Sequence, residues 1–380
     1  MNQQITKNQH FIPQCLLKNF ASNKNLFFRV YLKEKKIKTA GLKNSMCKKF
    51  TYEDSRLPKN TVENYFQKIE TNVAPKFEEI IKSINKYKKG ESDLLFVKEQ
   101  IYGIIPESII FYYRSGALLK EFSSDHSGYK IPNLLRKILH HPYINQLTKT
   151  IKDCYKFAIL ESDSNFLLSD QFLSTSALKI KNQFSNVSNR HIGLKETLIL
   201  LPISSNYYVA FWHSESHFFI KENCINSVND EEVVLINKSI INNSYEESIA
   251  QKKEDLEKVL DLHKEEHPSQ VYMGFNDGYV SGAIRKKEVF FYDEDREAYN
   301  FLQFPPGIAW KCISIKRNDP CPCSSGKKFK KCHESLFERI KIPIQNLVNQ
   351  KNIKQDIYSI PDAMQIEMPI EDWGGYPKNL

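Results

Sequence analysis

The sequence predicts an α+β protein: a helical block packed on a mainly antiparallel sheet, with a small cysteine-rich knuckle near the C-terminus. Between residues 61 and 84, apolar side chains recur every three or four positions, which is typical of amphipathic helices. The middle of the chain instead contains several short apolar runs bounded by Ser, Asn and Asp, the pattern of antiparallel strands. Residues 318–334 read NDPCPCSSGKKFKKCHE and hold three of the eight cysteines and one of the ten histidines.

The composition is that of a globular, moderately basic chain. It has 380 residues, of which 41% are hydrophobic and 26% are charged. This length suits one large or two moderate domains. The net charge of +9 makes nucleic acid a possible partner without requiring one.

Three features lead us to expect a cytoplasmic protein without membrane insertion. The first residues, MNQQITKNQHFIPQ, lack the basic start, apolar middle and cleavage site of a secretory signal. The longest uncharged run, residues 197–214, is interrupted by Pro202 and predicts two strands joined by a turn. Four scattered cysteines do not resemble a secreted disulfide framework, and we expect reduced core thiols at Cys15, Cys47, Cys154 and Cys224.

Prolines organise the N-terminal elements. Leu16 and Phe20 follow Pro13 at helical spacing and predict a short helix. The segments LFFRVYLKE and KIKTAGLKNSMC come next and predict a β-hairpin. Helical periodicity then continues past Pro75, as two helices or one kinked helix, and a second helical block is interrupted at Pro106.

The middle of the chain predicts strands followed by helix. Short apolar runs predict strands at YKFAILES, NFLLSD, TLILLPI, YYVAFWH and HFFIKEN. The following stretch, EEVVLINKSIINNSYEESIAQKKEDLEKVL, is expected to return to helix.

The cysteine-rich segment has the residue types of a zinc site. Its ligands would be arranged as C-x-C-x8-C-H, formed by Cys321, Cys323, Cys332 and His333. Gly326 can adopt the positive φ of a tight turn, and the neighbouring lysines favour thiolate formation. Because the protein supplies all four ligands, we expect a structural zinc with no open position for a catalytic water.

This segment resembles the SEC-C motif, the zinc-binding tail of the translocation ATPase SecA that recurs on many otherwise unrelated bacterial proteins. The usual Gly after the second cysteine is Ser324 here, and the usual Tyr is Phe329. In SecA the motif is linked with docking to the export chaperone SecB and with ribosome contact. The resemblance implies a partner-binding surface formed by Lys327, Lys328, Phe329, Lys330 and Lys331.

The N-terminus has a second resemblance. The segment NQHFIPQCLLKNFA is similar to the opening signature of the bacterial family called domain of unknown function 4238. NFLLSDQF resembles that family's Ser-Asp-Asn-Pro segment, with Ser169 and Asp170 retained, and the region Asn242 to Ala250 resembles its closing helix. The resemblance spans about residues 5–278, and the family carries no established activity.

His10 and Asp170 are the sequence's candidates for a polar site in the large domain. A histidine and a carboxylate can act as base and orienter, or as ligands for a divalent metal in phosphodiester cleavage. The alternative is structural: His10 hydrogen-bonds a neighbouring carbonyl and Asp170 caps a turn. The two residues match no known catalytic spacing, which favours the structural alternative.

The sequence therefore predicts four regions: a large domain (1–278), a connecting segment (279–312), a SEC-C-like zinc knuckle (313–336) and a tail (337–380) that is either a packed arm or a partner-binding segment. The favoured function is an interaction protein whose knuckle docks the large domain to a protein, ribosome or RNA partner. The alternative is a metal-dependent nuclease or toxin-like effector of bacterial phage defence that uses His10 and Asp170.

Overall fold

The computed structural model of the chain has the α+β fold that the sequence predicts. It describes residues 5–22, 24–115, 130–181, 188–264, 269–274, 280–285, 287–303 and 308–348. Most of the predicted tail, from residue 349 onward, lies outside the described residues. The boundaries between the four predicted regions stay predictions.

The helices are numbered here along the described chain. They are α1 (Gln14–Asn19), α2 (Thr61–Lys88), α3 (Leu94–Tyr102), α4 (Ile105–Arg114), α5 (Lys130–Ile138), α6 (His141–Cys154), α7 (Asp230–Asn243), α8 (Lys253–Leu260), α9 (Asp293–Gln303), α10 (Ile308–Lys311) and α11 (Glu334–Val348). Across these described segments, none combines the length and apolar character that a bilayer-crossing helix requires.

The strands are short and lie mainly in the middle of the chain. They are β1 (Asn8–His10), β2 (Leu26–Tyr31), β3 (Lys36–Gly41), β4 (Cys47–Lys49), β5 (Tyr155–Glu161), β6 (Leu168–Ser169), β7 (Ser174–Ala177), β8 (Thr197–Pro202), β9 (Tyr207–His213), β10 (Ile225–Ser227), β11 (Glu247–Ala250), β12 (Ser269–Gly274) and β13 (Val280–Arg285).

Two larger sheets organise the body of the protein. One has the order β10-β5-β9-β8-β7, and the other has the order β3-β2-β11-β6. All their strand pairs are antiparallel except β10 with β5, which is parallel. Every residue of β8 and β9 is buried, so this hairpin lies at the centre of the first sheet and of the core.

Pro75 and Pro106 lie in helical segments, as the sequence predicts. The structure also decides whether the first block is two helices or one. Helix α2 is a single helix that contains Pro75, and its buried residues Val62, Phe66, Val73 and Phe77 share one face. Pro106 lies in the first turn of α4, where its missing N–H is not needed. Pro75 therefore does not divide the first block, while the second block is two helices.

Two segments differ from the sequence prediction. Residues 217–223, HFFIKEN, form no strand, because the chain turns there before it pairs as β10 with β5. The stretch predicted as continuous helix after residue 230 is interrupted by β11, which fills the position between β2 and β6. The expected closing helix at 242–250 is thus the end of α7 followed by a strand. Pairing partners that are distant in sequence decide both cases.

The hydrophobic side chains form two clusters. The larger one unites the N-terminal helices and both main sheets. The smaller one joins the end of β7 and α9 to the cysteine-rich segment and α11, through residues that include Ala177, Phe301, Phe329, Ile340 and Ile344. The cysteine-rich segment is thus packed against the protein rather than attached by a free linker.

The scattered cysteines are free, as expected for reduced thiols. Cys15, Cys47, Cys154 and Cys224 are, however, only partly buried, so they border the core rather than fill it.

Candidate functional site

The four predicted metal ligands converge at the end of the second cluster. One ligand atom from each of Cys321, Cys323, Cys332 and His333 lies within 4.8 Å of all the others, an arrangement that can hold a metal ion. Among the described residues, no other group of His, Cys, Asp and Glu side chains meets the same condition. The four side chains that the sequence predicts as ligands therefore form one cluster that could hold a metal ion.

Backbone hydrogen bonds within the knuckle bring these ligands together. The Cys321 N–H donates to the Lys327 carbonyl at 2.8 Å, and the Phe329 N–H donates to the Asp319 carbonyl at 2.8 Å. Ser324 and Gly326 both have positive φ, at 63° and 70°, which reverses the chain between the second and third cysteines. Ser324 pays a steric penalty that a glycine would avoid.

The ligand atoms are close but not bonded. Cys321 Sγ and Cys332 Sγ each lie 3.2 Å from His333 Nδ1, and the sulfurs of Cys323 and Cys332 are 3.5 Å apart. A disulfide would require about 2.05 Å between sulfurs. The four side chains are thus close enough to converge on one ion without being bonded to each other.

The site's electrostatics also favour a cation. Burial raises the pKa of the Cys321 thiol to about 12, whereas the hydroxyl of Ser325, 3.1 Å from the sulfur of Cys323, holds the pKa of that thiol below its ordinary value. Without a cation, the buried Cys321 would keep its proton at neutral pH. A divalent ion at the centre would supply the positive charge that makes all three cysteines thiolates.

Three side chains that contact or adjoin the four ligands were not predicted from the sequence: Phe301, Ser325 and Cys312. The Phe301 ring on α9 stacks on the His333 imidazole, with 4.6 Å between centroids and 11° between planes. Ser325 Oγ contacts the sulfurs of both Cys323 and Cys332, at 3.1 and 3.3 Å. Cys312 is buried beside the site, and burial together with the Cys323 and Cys332 sulfurs raises its pKa to about 11. Ser325 lies inside the motif, but Phe301 has no sequence signal.

The predicted partner surface divides into two parts. Lys327, Lys328, Lys330 and Lys331 are exposed, and within the described structure they form no ion pair. Phe329 is only 4% exposed and packs edge-on against Phe337. This burial corrects the assignment of Phe329 to the partner-binding surface, because its ring is part of the second cluster.

His10 lies on β1 in a buried polar environment. Its Nε2 is 2.9 Å from the side-chain nitrogen of Gln14, and its Nδ1 makes no hydrogen bond of normal geometry. Burial lowers the pKa of His10, the guanidinium of Arg114 lowers it further, and Glu70 opposes both. The buried position therefore disfavours the charged imidazolium form of His10.

Asp170 has a different environment, at the end of β6. Its two carboxylate oxygens accept the backbone N–H groups of Tyr245, Glu246 and Glu247, at 2.8 to 3.2 Å. They organise the turn that leads into β11, which is the structural alternative considered for this residue. In the described structure, His10 and Asp170 do not hydrogen-bond to each other, and their catalytic use stays a prediction.

Glu247 lies beside Asp170 and should give the protein a pH-dependent stability. Burial raises its pKa from 4.5 to about 7; Arg29 opposes the shift and Asp170 adds to it. The folded state then holds a proton that the unfolded chain releases above about pH 4.3. Glu247 therefore contributes its full share of the free energy of unfolding below that pH. This contribution falls by up to roughly 3 kcal/mol as the pH rises through about 7.

The measurement is urea unfolding between pH 4.5 and 8 for wild type, Glu247→Gln and the neighbouring control Glu246→Gln. The Glu247→Gln curve should decline less steeply than the wild-type curve, because glutamine can still accept the Met46 N–H but cannot ionise. The control should follow wild type. Identical pH profiles for wild type and Glu247→Gln would contradict the expectation.

Family comparisons agree with both resemblances. Residues 8–139 match the model described as "Protein of unknown function (DUF4238)", and residues 317–335 match the SEC-C motif. The first match includes His10 and ends before Asp170. No solved structure matches the chain.

Curated relatives match only in part. The chain is 38% identical over 64 residues to the protein translocase subunit SecA of Methylococcus capsulatus, covering 17% of this chain and 7% of that one. It is 46% identical over 44 residues to SecA of Francisella tularensis, covering 12% and 4%. It is 36% identical over 90 residues to SecA of Delftia acidovorans, covering 24% and 8%. The chain thus spans less than a tenth of the length of these relatives, which it matches in its C-terminal region.

Proposed function

We propose that the knuckle binds one structural Zn²⁺ and docks the rest of the chain to a protein, ribosome or RNA partner. The observation that carries this proposal is a closed set of four ligands surrounded by four exposed lysines that form no ion pair in the described structure. The ion holds the fold, and the lysines are free to contact a partner.

The ligand set fits zinc. Three thiolates and an imidazole are ligands that Zn²⁺ prefers, and a tetrahedron with Zn–S bonds of about 2.3 Å has ligand-to-ligand edges of about 3.8 Å. The separations of 3.2 to 3.5 Å need only a small expansion to reach that geometry. Bound zinc would keep the thiolates charged and fix the loop, and no position remains for a catalytic water.

The packing of the knuckle suits a docking role. His333 stacks on Phe301 of α9, and Arg339 of α11 forms an ion pair with the nearly buried Asp295 at 2.8 Å. A partner bound to the lysines would therefore hold the body of the protein through α9 and α11. A long flexible tether would give no such fixed orientation.

The experiment is co-sedimentation of the full chain with ribosomes from a bacterial lysate. A variant with glutamine at Lys327, Lys328, Lys330 and Lys331 should bind about tenfold more weakly, because these charges contact the partner. The matched control carries glutamine at three exposed lysines of α2, Lys68, Lys82 and Lys86, and at the exposed Lys89 that follows the helix. Capture of a defined protein that depends on the knuckle lysines would also support docking.

If the knuckle variant still binds zinc, its knuckle is folded, and weaker partner binding is then due to the missing lysine charges. Equal binding of wild type, knuckle variant and control to every partner recovered would overturn the docking proposal, while leaving the zinc site in place.

A further inference from the structure

The positive charge of this protein is concentrated in one segment. Residues 24–50 contain nine lysines and arginines and a single acidic residue, Glu34. Their net charge of +8 compares with +9 for the whole chain, so the remainder is close to neutral. This segment comprises β2, β3, the 3-10 turn at Leu42–Asn44 and β4, and is called the basic hairpin below.

The fold places most of these charges on the surface. Strand β3 is an edge of its sheet, and its lysines Lys36 and Lys38 are exposed. Lys33 and Lys35 are exposed in the turn between β2 and β3. The exposed set is completed by lysines before β2, in the 3-10 turn and on β4: Lys24, Lys43 and Lys49.

Among the described residues, ion pairs neutralise two of the nine positive charges. Arg29 pairs with Glu247 at 3.5 Å, and Lys48 pairs with Glu246. The other seven form no ion pair within the part of the chain that the structure describes. In addition, Arg29 lies directly opposite Lys38 in the β2–β3 register, an arrangement of like charges that destabilises a strand pair. A concentrated and mostly unpaired charge of this kind is suited to an external polyanion.

Protection of the sheet edge explains only part of the pattern. Lysines on an edge strand prevent pairing with other chains, which accounts for Lys36 and Lys38. Lys33, Lys35 and Lys43 lie in turns, where there is no strand edge to protect. The surface therefore extends beyond what edge protection requires.

One exposed aromatic ring beside the lysines favours single-stranded nucleic acid as the polyanion, because its unpaired bases are open to stacking. Lys36 and Lys38, two residues apart on an antiparallel strand, are separated by about 6.8 Å, so both can contact phosphates of one backbone. Phe50 follows Lys49, and its side chain is 47% exposed and contacts no other ring in the described structure. Its backbone is held at φ 55° by a hydrogen bond from its N–H to the Lys7 carbonyl. A fixed, exposed phenyl ring beside lysines can stack on a base.

We propose that the basic hairpin binds the phosphate backbone of single-stranded nucleic acid without base selection, with Phe50 stacking on one base. This surface is separate from the knuckle in sequence and does not depend on the docking function proposed above.

The test is fluorescence anisotropy of the zinc-loaded full chain with labelled single-stranded RNA and DNA of the same sequence, at several salt concentrations. Glutamine at Lys33, Lys35, Lys36 and Lys38 should weaken binding at least about tenfold, and should flatten the slope of log affinity against log salt by about 3. The matched control has glutamine at Lys68, Lys82 and Lys86 of α2 and at Lys89 after it, which makes the same charge change around a helix whose own charges nearly balance. It should bind as wild type.

Phe50→Ala should weaken binding without changing the salt slope, because a stacking contact releases no counterions. Binding of both RNA and DNA would show that the phosphate backbone they share is the ligand. Binding of only one of them would show which of the two nucleic acids the basic hairpin binds. Binding of neither would overturn the proposal, as would binding of anionic phospholipid vesicles without binding of oligonucleotide. Binding lost only in the Lys327, Lys328, Lys330 and Lys331 variant would also overturn it, and would leave the knuckle's docking function intact.

Discussion

Replacing Cys321 with serine is expected to reduce bound zinc from about one ion per chain to none and to unfold the knuckle. Cys321 is the most buried of the four ligands, and serine leaves the remaining three without a complete tetrahedron. Structural zinc contributes on the order of 10 kcal/mol to folding a segment too small for its own core. Cys332→Ser should behave in the same way, because its sulfur contacts both Cys323 and His333.

The effect should extend beyond the knuckle. Phe329 and Cys321 pack in the same cluster as Ile340 and Ile344 of α11, so loss of the ion should loosen that helix. We expect faster tryptic cleavage at Lys327 and Lys328 and faster amide exchange in α11, while the larger cluster stays protected. Elemental analysis, limited proteolysis and hydrogen exchange measure the three effects.

Cys224→Ser is the matched control, because that thiol is free, partly buried and far in sequence from the ligands. It should keep its zinc and its proteolysis pattern. A wild-type protein that contains no zinc, or a Cys321→Ser protein that retains it, would refute the assigned ligand set.

Replacing Arg114 with methionine should destabilise the protein by about 3 to 5 kcal/mol, the usual effect of removing one partner from a buried ion pair. Arg114 is 1% exposed, pairs with Glu70, and donates a hydrogen bond to the His10 carbonyl. Its guanidinium also lies 4.5 Å from the centre of the Phe66 ring. The substitution would leave the His10 carbonyl and the carboxylate of Glu70 without this donor.

The control for Arg114 is a similar substitution at the surface. Lys253→Met removes a lysine that pairs with Glu257 at 2.6 Å, and both side chains are 48% exposed. An exposed pair contributes little to stability, so this variant should unfold close to wild type. Urea denaturation at pH 7 measures both free energies, and equal losses in the two variants would mean that Arg114 has no special role.

Local chemistry explains why parts of the fold and the whole ligand set could be read from the sequence. The four ligands lie close together in the chain, and their residue types and C-x-C-x8-C-H spacing are those of a zinc site. The apolar face of α2 and the β8–β9 hairpin have strong periodicity, which neighbouring residues supply by themselves. These features needed no information about distant parts of the chain.

Other features depend on contacts between distant segments. The strand β11 lies in a stretch of helical character, but it forms because β2 and β6 offer open hydrogen-bonding edges. Asp170 had the residue type of a catalytic carboxylate, yet the backbone of residues 245–247 uses its oxygens. Phe329 is a plausible stacking group in sequence, and packing against α11 buries it.

The sequence by itself thus determined the α+β class, the helical periodicity and the four ligands of the knuckle, because each depends on residues that are close along the chain. The tertiary structure decided which of those residues face solvent. It buried Phe329, stacked Phe301 on His333, engaged Asp170 in a turn and exposed the lysines of the basic hairpin on a sheet edge. Burial and long-range hydrogen bonding join residues tens to hundreds of positions apart, and no local pattern records them.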